Sequence, residues 1–445
     1  MKRDWWHPEV PFAPKKFPFF YGWFLVFAAT VGVIASIPGQ TMGVGVFTDV
    51  LIENFNLTRQ QVSLAYLIGT LASGLVLPHA GRLLDRWGMR KGAFLAAFFL
   101  GMSLLYFSQA DHLARALGEI LRAETVAAFG IVLLGFFFIR YWGQGVLTLA
   151  SRNMAGKWFN RYRGIAIGFS SVTVSITFSA SPSLLNLLVE TLGWRGAWSV
   201  LGIGIGFGVA LFIWYFFRDN PEECGLQMDG RDPLPPEQET NEDLIIYRDY
   251  QRADALRTYA FWIFTIGFSW HALLFTAYAF HVVDIGRFVG IGRQEMFLLF
   301  FYAAFVSVVT NLAAGWLSTY IRLRNLLILQ NLTLGAFALA FVYTESLFLL
   351  KVIVVISMGI GGGLWGNLNS IVYPRFFGRQ HVGAISGFAM SAIVIASALG
   401  PYFFSLYEGF RGDYQGIFLL CGLVSLLLAV GSFWGLNPQR KEKPQ

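Results

Sequence analysis

Cysteine is nearly absent from this chain. Its 445 residues include only Cys224 and Cys421, one in a polar stretch and one in an apolar run, which excludes a disulfide framework and a Cys-based metal site. Charge is scarce as well: Asp, Glu, Lys and Arg make up 13%, against about 25% in ordinary soluble domains. A water-facing globular surface cannot be built from so few charges. No Asp or Glu falls in the middle of any apolar segment, so a relay of carboxylates through a buried core is excluded. Spacings for a phosphate loop, a nucleophile triad or a metal cluster do not occur; no enzyme activity, no cofactor and no metal are expected. The first 19 residues carry Lys2, Arg3, Lys15 and Lys16 with Trp5 and Trp6. No short apolar core with a cleavage site follows, so no removable signal peptide is expected.

Apolar residues fill the space that charge leaves: 56% of the chain, with 44 Phe and 48 Gly. They cluster into twelve segments, approximately 20–47, 59–83, 89–109, 125–152, 163–189, 196–217, 259–285, 294–318, 323–343, 347–372, 381–406 and 414–436. About 20 apolar residues in a helix cross a bilayer core, so the pattern predicts an all-α, multi-pass membrane protein. Thr58-x-x-Gln61 reads as a capping box before the second segment. Pro38-Gly39 is expected to bend or unwind the first. The two tails and the even-numbered connections hold 24 of the 33 Lys and Arg residues, which predicts both termini in the cytoplasm. Basic loops beside anionic lipid account for the net charge of +7; no nucleic-acid partner is implied.

Against this background Arg140 stands out. It lies near the middle of the fourth segment, where arginine costs about 2.5–3.5 kcal/mol on insertion scales. Gln144 and Thr148 follow at i+4 and i+8, on one face of a regular helix. The stripe predicts a wet cavity in which a guanidinium meets an anion; an arginine that only ties two helices together through carbonyls is the alternative.

Residues 219–257 form the one long polar stretch, with Pro221, Pro233, Pro235, Pro236 and eleven acids. It reads as a cytoplasmic linker, with a short surface helix expected over 243–257. The sequences on either side resemble each other. An offset of 234 places Thr58-Arg-Gln-Gln61 on Gly292-Arg-Gln-Glu295, Gly81 on Gly315 and Arg90 on Arg324. An offset of 218 places Gly143-Gln-Gly145 on Gly361-Gly-Gly363 and Lys157-Trp-Phe159 on Arg375-Phe-Phe377. A duplicated six-helix unit follows. The expected layout is a cytoplasmic tail at 1–19, a six-helix bundle at 20–218, the linker at 219–257, a second bundle at 258–437 and a tail at 438–445.

The second and third segments are joined by Gly81-Arg-Leu-Leu-Asp85-Arg86-Trp-Gly88-Met-Arg90-Lys91. Gly81 allows close helix approach and Gly88 a tight reversal. Asp85 can accept bonds from neighbouring arginines or from free helix amides. This loop resembles the signature of the major facilitator superfamily, G-x-x-x-D-R/K-x-G-x-R-R/K, at every defined position. The resemblance implies two pseudo-symmetric six-helix bundles that alternate access, with Gly81, Asp85, Arg86, Gly88 and Arg90 as a cytoplasmic gate. The second-half counterpart, Gly315 to Arg324, has Thr319 in place of the acid. Phe20-Tyr-Gly-Trp23, Trp158-Phe159-Asn-Arg-Tyr-Arg163-Gly164, Asp219-Asn-Pro221-Glu-Glu-Cys-Gly225 and Phe261-Trp262 resemble the bacterial monocarboxylate-transporter-like and oxalate/formate-antiporter group. Arg140 with Gln144-Gly145 resembles the superfamily's R-x-x-Q-G, stretched by one residue. Three departures stand against a finer match. Residues 295–318 carry no charge beyond Glu295, where monocarboxylate members often have an acid and an arginine. Residues 382–407 lack the lysine of oxalate exchangers. The fifth segment lacks the G-x-x-x-G-P-x-x-G-G of proton-coupled drug antiporters.

The expected function is secondary active transport of a small organic anion, a mono- or dicarboxylate, proton-coupled or by exchange. A carrier of a neutral or larger solute with a structural Arg140, or a transporter-like sensor, are the alternatives. Substrate contacts are expected from Arg140, Gln144, Thr148, His271, Asn367 and Asn369. Histidine titrates near neutrality, so His271 is the first candidate for a coupling proton, with Asp49 and Asp284 at the outer ends of equivalent segments after it. A histidine held by a backbone carbonyl, and asparagines that only bridge helices, are the plainer readings. Besides the anion and protons, the lipid bilayer is the expected partner. The chain is expected to be a monomer in the inner membrane of a bacterial cell.

Overall fold

A computed structural model describes residues 5–230 and 244–442 (side chains 49, 59, 179, 183, 293 and 441 excepted). Among them every regular element is a helix. In chain order these are α1 (Tyr21–Ala35), α2 (Thr41–Phe55), α3 (Arg59–Trp87), α4 (Met89–Ser108), α5 (Ala110–Leu121), α6 (Glu124–Ile139), α7 (Thr148–Trp158), α8 (Arg163–Ile203), α9 (Ala210–Phe216), α10 (Arg252–Ala255), α11 (Tyr259–Phe280), α12 (Val282–Val289), α13 (Arg293–Tyr320), α14 (Leu323–Tyr343), α15 (Leu347–Phe377), α16 (Val382–Arg411) and α17 (Gln415–Ser432). Among the described residues eleven stretches are long and apolar enough to cross a membrane. The twelfth crossing is α1 and α2 together. At 15 residues α1 alone reaches only about 22 Å, short of a bilayer core of about 30 Å. A single 3₁₀ turn, Ile37–Gly39, separates it from α2. Pro38 removes an amide and fixes φ, which ends α1 where the sequence predicts.

The capping box is present: Gln61 N donates to Thr58 Oγ1 at 3.2 Å and Thr58 N to Gln61 Oε1 at 2.8 Å. The fifth and sixth segments merge in α8 across Gly193, whose φ of 68° suits a residue without a Cβ. Two π-turns interrupt the first half, Arg140–Leu147 between α6 and α7 and Gly204–Val209 before α9.

The expected surface helix over 243–257 is present only in part. Asp243 lies outside the described residues, 245–250 form no regular element and only Arg252–Ala255 is helical. The reason is competition for amides. Tyr250 N donates to Phe377 O at 2.9 Å, and the amides of Tyr247 and Arg248 both donate to Gln439 Oε1. Amides held this way are not free for an i−4 ladder.

Two compact units emerge. One comprises Met1–Trp158, Ile176–Gly230 and Ser386–Ser391; the other comprises Phe159–Ser175, Arg231–Ile385 and Ala392–Gln445. In the first, Phe47 stacks on Trp198 at 3.8 Å and Phe107 stacks on Trp198 at 5.4 Å. In the second, Leu274, Tyr278, Phe337, Phe341 and Phe418 form a core, with Phe341 and Phe418 stacked at 4.5 Å.

Candidate functional site

The break between α1 and α2 packs against the π-turn at Arg140–Leu147. A Cβ on Gly39 would meet the Gly143 Cα at 2.9 Å and the Gln144 amide at 3.1 Å, so only glycine fits there. A π-turn holds one residue more per turn than an α-helix. It lies at the place where the R-x-x-Q-G pattern is one residue too long, and it absorbs that residue.

Arg140 is 1% exposed. Its Nη1 donates to Gly39 O at 3.1 Å and, at 3.4 Å, to Thr41 Oγ1. Its guanidinium lies 5.1 Å from the centre of the Tyr66 ring. Tyr66 OH in turn donates to Thr41 Oγ1 at 2.9 Å. Arg140 Nε is buried with no hydrogen-bond partner. Among the described residues no carboxylate pairs with Arg140. A buried cation supported by one carbonyl, one hydroxyl and one ring face is under-compensated. An anion would complete it.

Thr148 reaches the same break. Its Oγ1 lies 3.0 Å from Ser36 Oγ and 3.1 Å from Gly143 O, and accepts from Gln40 Nε2 at 3.2 Å. Gln144 is buried and its Oε1 has no donor.

The other predicted residues lie elsewhere. His271 on α11 is 6% exposed, and its ring is stacked between Trp365 at 5.5 Å and Phe275 at 6.0 Å. Its Nδ1 has no partner. His271, Leu274, Phe275, Phe337, Ser357 and Met358 line a small pocket in the second unit. Asn367 on α15 is fully buried and donates to Gly164 O and Asn311 O, both at 3.3 Å; Asn369 is half-buried. Asp284 is exposed and pairs with Arg287 at 3.3 Å. The side chain of Asp49 lies outside the described residues. His281 has both ring nitrogens engaged, Nε2 at 3.0 Å from Pro401 O and Nδ1 at 3.5 Å from Tyr414 OH. Arg140, Gln144 and Thr148 thus belong to one unit, and His271, Asn367 and Asn369 to the other.

The loop between α3 and α4 reverses at Gly88, with φ 89°. Gly81 packs against Gly387, where a Cβ on Gly387 would meet Gly81 Cα at 3.0 Å. Asp85 is half-buried and Arg86 exposed. Arg90 is buried and reaches the amino-terminal chain. It donates to the carbonyls of His7 at 3.2 Å, Val10 at 2.8 Å and Trp214 at 2.5 Å, and its amide donates to Asp219 Oδ1 at 3.1 Å. Arg218 does the same beside it, donating to Pro8 O at 2.6 Å and Phe12 O at 3.3 Å. Burial holds the Arg218 guanidinium below its ordinary pKa and pushes the nearby Cys224 thiol up to about 12.

Residues 19–401 match the Major Facilitator Superfamily. The chain belongs to that superfamily. It is 24% identical over 429 residues to monocarboxylate transporter 11 of Mus musculus, covering 93% of this chain and 86% of that one. It is 22% identical over 398 residues to the probable L-galactonate transporter of Escherichia coli strain K12, covering 84% and 80%. The solved fucose:proton symporter of E. coli shares the fold, with a TM-score of 0.63 at 11% identity over 93% of this chain and 98% of that one. This superfamily member is therefore a multi-pass membrane transporter and not an enzyme.

Sequence reasoning found Arg140 in this transporter but missed what surrounds it: Ser36, Gly39, Gln40, Thr41 and Tyr66. Two signals were available. Pro38-Gly39 marked a break at mid-membrane depth, where freed carbonyls and amides seek partners, and the stretched R-x-x-Q-G marked the π-turn. Tyr66 carried no signal, because an aromatic in an apolar helix reads as core.

Proposed function

We propose that this superfamily member is a secondary active transporter of a small organic anion, a mono- or dicarboxylate, working by alternating access, with proton coupling or exchange. One observation carries the reading: Arg140, buried in a membrane-spanning segment, has an unpartnered Nε and no paired acid among the described residues. A planar guanidinium suits a carboxylate through two parallel bonds. A fixed cation offsets the hydration an anion loses on entering a low-dielectric site. The monocarboxylates and L-galactonate for which its relatives are named bear a carboxylate. Gln144 lies on the π-turn and Thr148 directly after it, and both contact the substrate; Asn367 and Asn369 are further substrate contacts. His271, with its free Nδ1, is the assigned coupling group, ahead of Asp49 and Asp284. Gly81, Asp85, Arg86, Gly88 and Arg90 form the cytoplasmic gate. The E. coli relative and the Lys/Arg distribution support a bacterial inner membrane with both termini inside.

The test is ligand-induced thermal stabilisation of purified wild type, Arg140→Lys and Arg140→Gln by L-lactate and L-galactonate, each beside its neutral amide. Wild type is expected to respond to the acids and not the amides. The Lys variant is expected to bind weakly, keeping charge without the fork, and the Gln variant not at all while staying monodisperse. Equal binding by the Gln variant would show Arg140 to be structural.

A further inference from the structure

The start of α2 is an amino-terminal helix end inside a membrane span. The first ladder bond of α2 runs from Val44 N to Gln40 O at 3.0 Å. The amides of Thr41, Met42 and Gly43 lie before it, and no side chain caps them. A helix end at a membrane surface gives such amides to water. One at mid-span has no lipid partner to offer them, so they face a polar group or a ligand. Thr41 is exposed and Met42 is 44% exposed, so this mouth is open.

Two further donor groups lie beside it, the Arg140 guanidinium and the Thr41 hydroxyl. Arg140 Nη1 touches Thr41 Oγ1, and its Nε is unpartnered. Thr41 Oγ1 already accepts from Tyr66 OH and from Arg140, so its own hydroxyl hydrogen is left to donate. Of the carbonyls beside the mouth, Gly39 O is taken by Arg140, and Ile37 O, next to Gly43, by the Gln40 amide. A place with amide, hydroxyl and guanidinium donors, a positive helix end and neighbouring carbonyls already engaged selects an anion.

We infer that the open mouth of α2 is the carboxylate seat: one oxygen takes the Thr41 and Met42 amides and the Thr41 hydroxyl, the other pairs with Arg140. This rests on the organic-anion reading above and adds to it the helix end as the second half of the seat. It makes the carboxylate, rather than the remainder of the substrate, the part recognised by the first unit. Tyr66 is a positioning residue, since it touches Thr41 and the Arg140 face rather than the anion.

The test compares matched variants of the full chain in detergent, titrated with L-lactate and L-galactonate by thermal stabilisation. Gln40 precedes Thr41 with ψ 160°, the extended conformation proline requires of its neighbour, and proline is tolerated at a first helical position. Thr41→Pro removes the amide hydrogen; Thr41→Val removes only the hydroxyl. The Pro variant is expected to bind about tenfold more weakly than the Val variant, the worth of one charge-assisted hydrogen bond. Met42→Asp places a tethered carboxylate at the mouth and is expected to bind at least about tenfold more weakly than Met42→Asn, with a higher melting temperature without ligand. Should Thr41→Pro fail to fold, the Met42 pair decides. If Arg140→Gln loses binding while both members of each pair bind alike, the carboxylate meets Arg140 away from the helix mouth and this inference falls alone. Binding retained in Arg140→Gln would overturn the organic-anion reading and this one with it.

Discussion

The fourth span and its repeat partner, the tenth, have parted ways. The offset of 218 that pairs Gly143-Gln-Gly145 with Gly361-Gly-Gly363 pairs Arg140 with Met358. In the first half the backbone is interrupted twice at that level, by the Ile37–Gly39 break and by the Arg140–Leu147 π-turn. In the second, α15 runs unbroken from Leu347 to Phe377 and α11 stays helical to Phe280. The difference teaches where a membrane span can hold a guanidinium. Arg140 bonds a carbonyl, Gly39 O, that has left its helix ladder. An intact helix has no such carbonyl to spare, because each is held by the amide four residues on. Met358 instead packs beside His271 and Phe337.

The sharpest way to break this comparison is to exchange the two residues. Met358→Arg would put a cation among apolar side chains on an unbroken helix. We expect a loss of more than about 3 kcal/mol, seen as collapse of the monodisperse peak in size-exclusion chromatography. Arg140→Met should do the reverse. Replacing a buried charge by an apolar side chain of similar volume is often neutral or stabilising, so its melting temperature should stay within about 3 °C of wild type, while stabilisation by L-lactate disappears. A Met358→Arg variant as stable as wild type would show that the backbone breaks are not what admits the charge.

A smaller effect is expected from the glycines. Gly39→Ala forces a Cβ against Gly143 Cα at 2.9 Å, backbone that cannot rotate away. Such overpacking costs about 1–3 kcal/mol. Gly362, one residue of the second-half triplet, has only Ser307 Oγ at 3.8 Å, an ordinary contact. Gly362→Ala should be neutral or slightly stabilising, since alanine restricts the unfolded chain. Melting curves of the two variants side by side test it. Equal losses would mean that the fit between the break and the π-turn is no tighter than the second half's packing.

Much of this was legible in the sequence. Twelve apolar segments, the break at Pro38, the capping box at Thr58 and the signature loop all rest on local chemistry: hydropathy, a missing amide, a hydroxyl three residues before a glutamine. Arg140 was visible because an arginine in an apolar run is costly wherever it points. Its neighbours were not, because Gly39, Thr41 and Tyr66 are joined to it only through packing between α2, α3 and the π-turn. The amino-terminal chain escaped notice for the same reason. Prolines and lysines at 1–19 read only as a cytoplasmic tail, yet the carbonyls of His7, Pro8, Val10 and Phe12 hold two buried arginines. Carbonyl partners leave no trace in side-chain identity.

The halves differ last in the connections at the other end of their spans, and there the smallest effect is expected. Between α4 and α6 the first half inserts α5, whereas the second joins α14 to α15 through 344–346 alone. Asp111, buried near the start of α5, lies 2.5 Å from Arg115 Nη2 and 3.2 Å from Arg195 Nε, and also bonds Arg195 Nη2. Burial on its own would push this carboxyl up, but the hydrogen bonds from Arg195 and Arg115 outweigh it and hold the carboxyl below its ordinary value. A carboxyl lowered by folding binds its proton more readily in the unfolded chain. Its contribution is therefore fully present above the ordinary value of 3.8 and is lost as pH falls through the lower folded value. Both arginines are substantially exposed, and solvent weakens the pair, so the contribution should be about 1 kcal/mol. In melting scans from pH 7 downward, wild type should lose this increment only below about pH 4. Asp111→Asn should lack it at pH 7 and show a shallower acid decline. Glu345, exposed in the short second-half connection, gives the comparison: Glu345→Gln should follow wild type throughout. Parallel acid declines in wild type and Asp111→Asn would mean that α5 is held by its apolar packing alone.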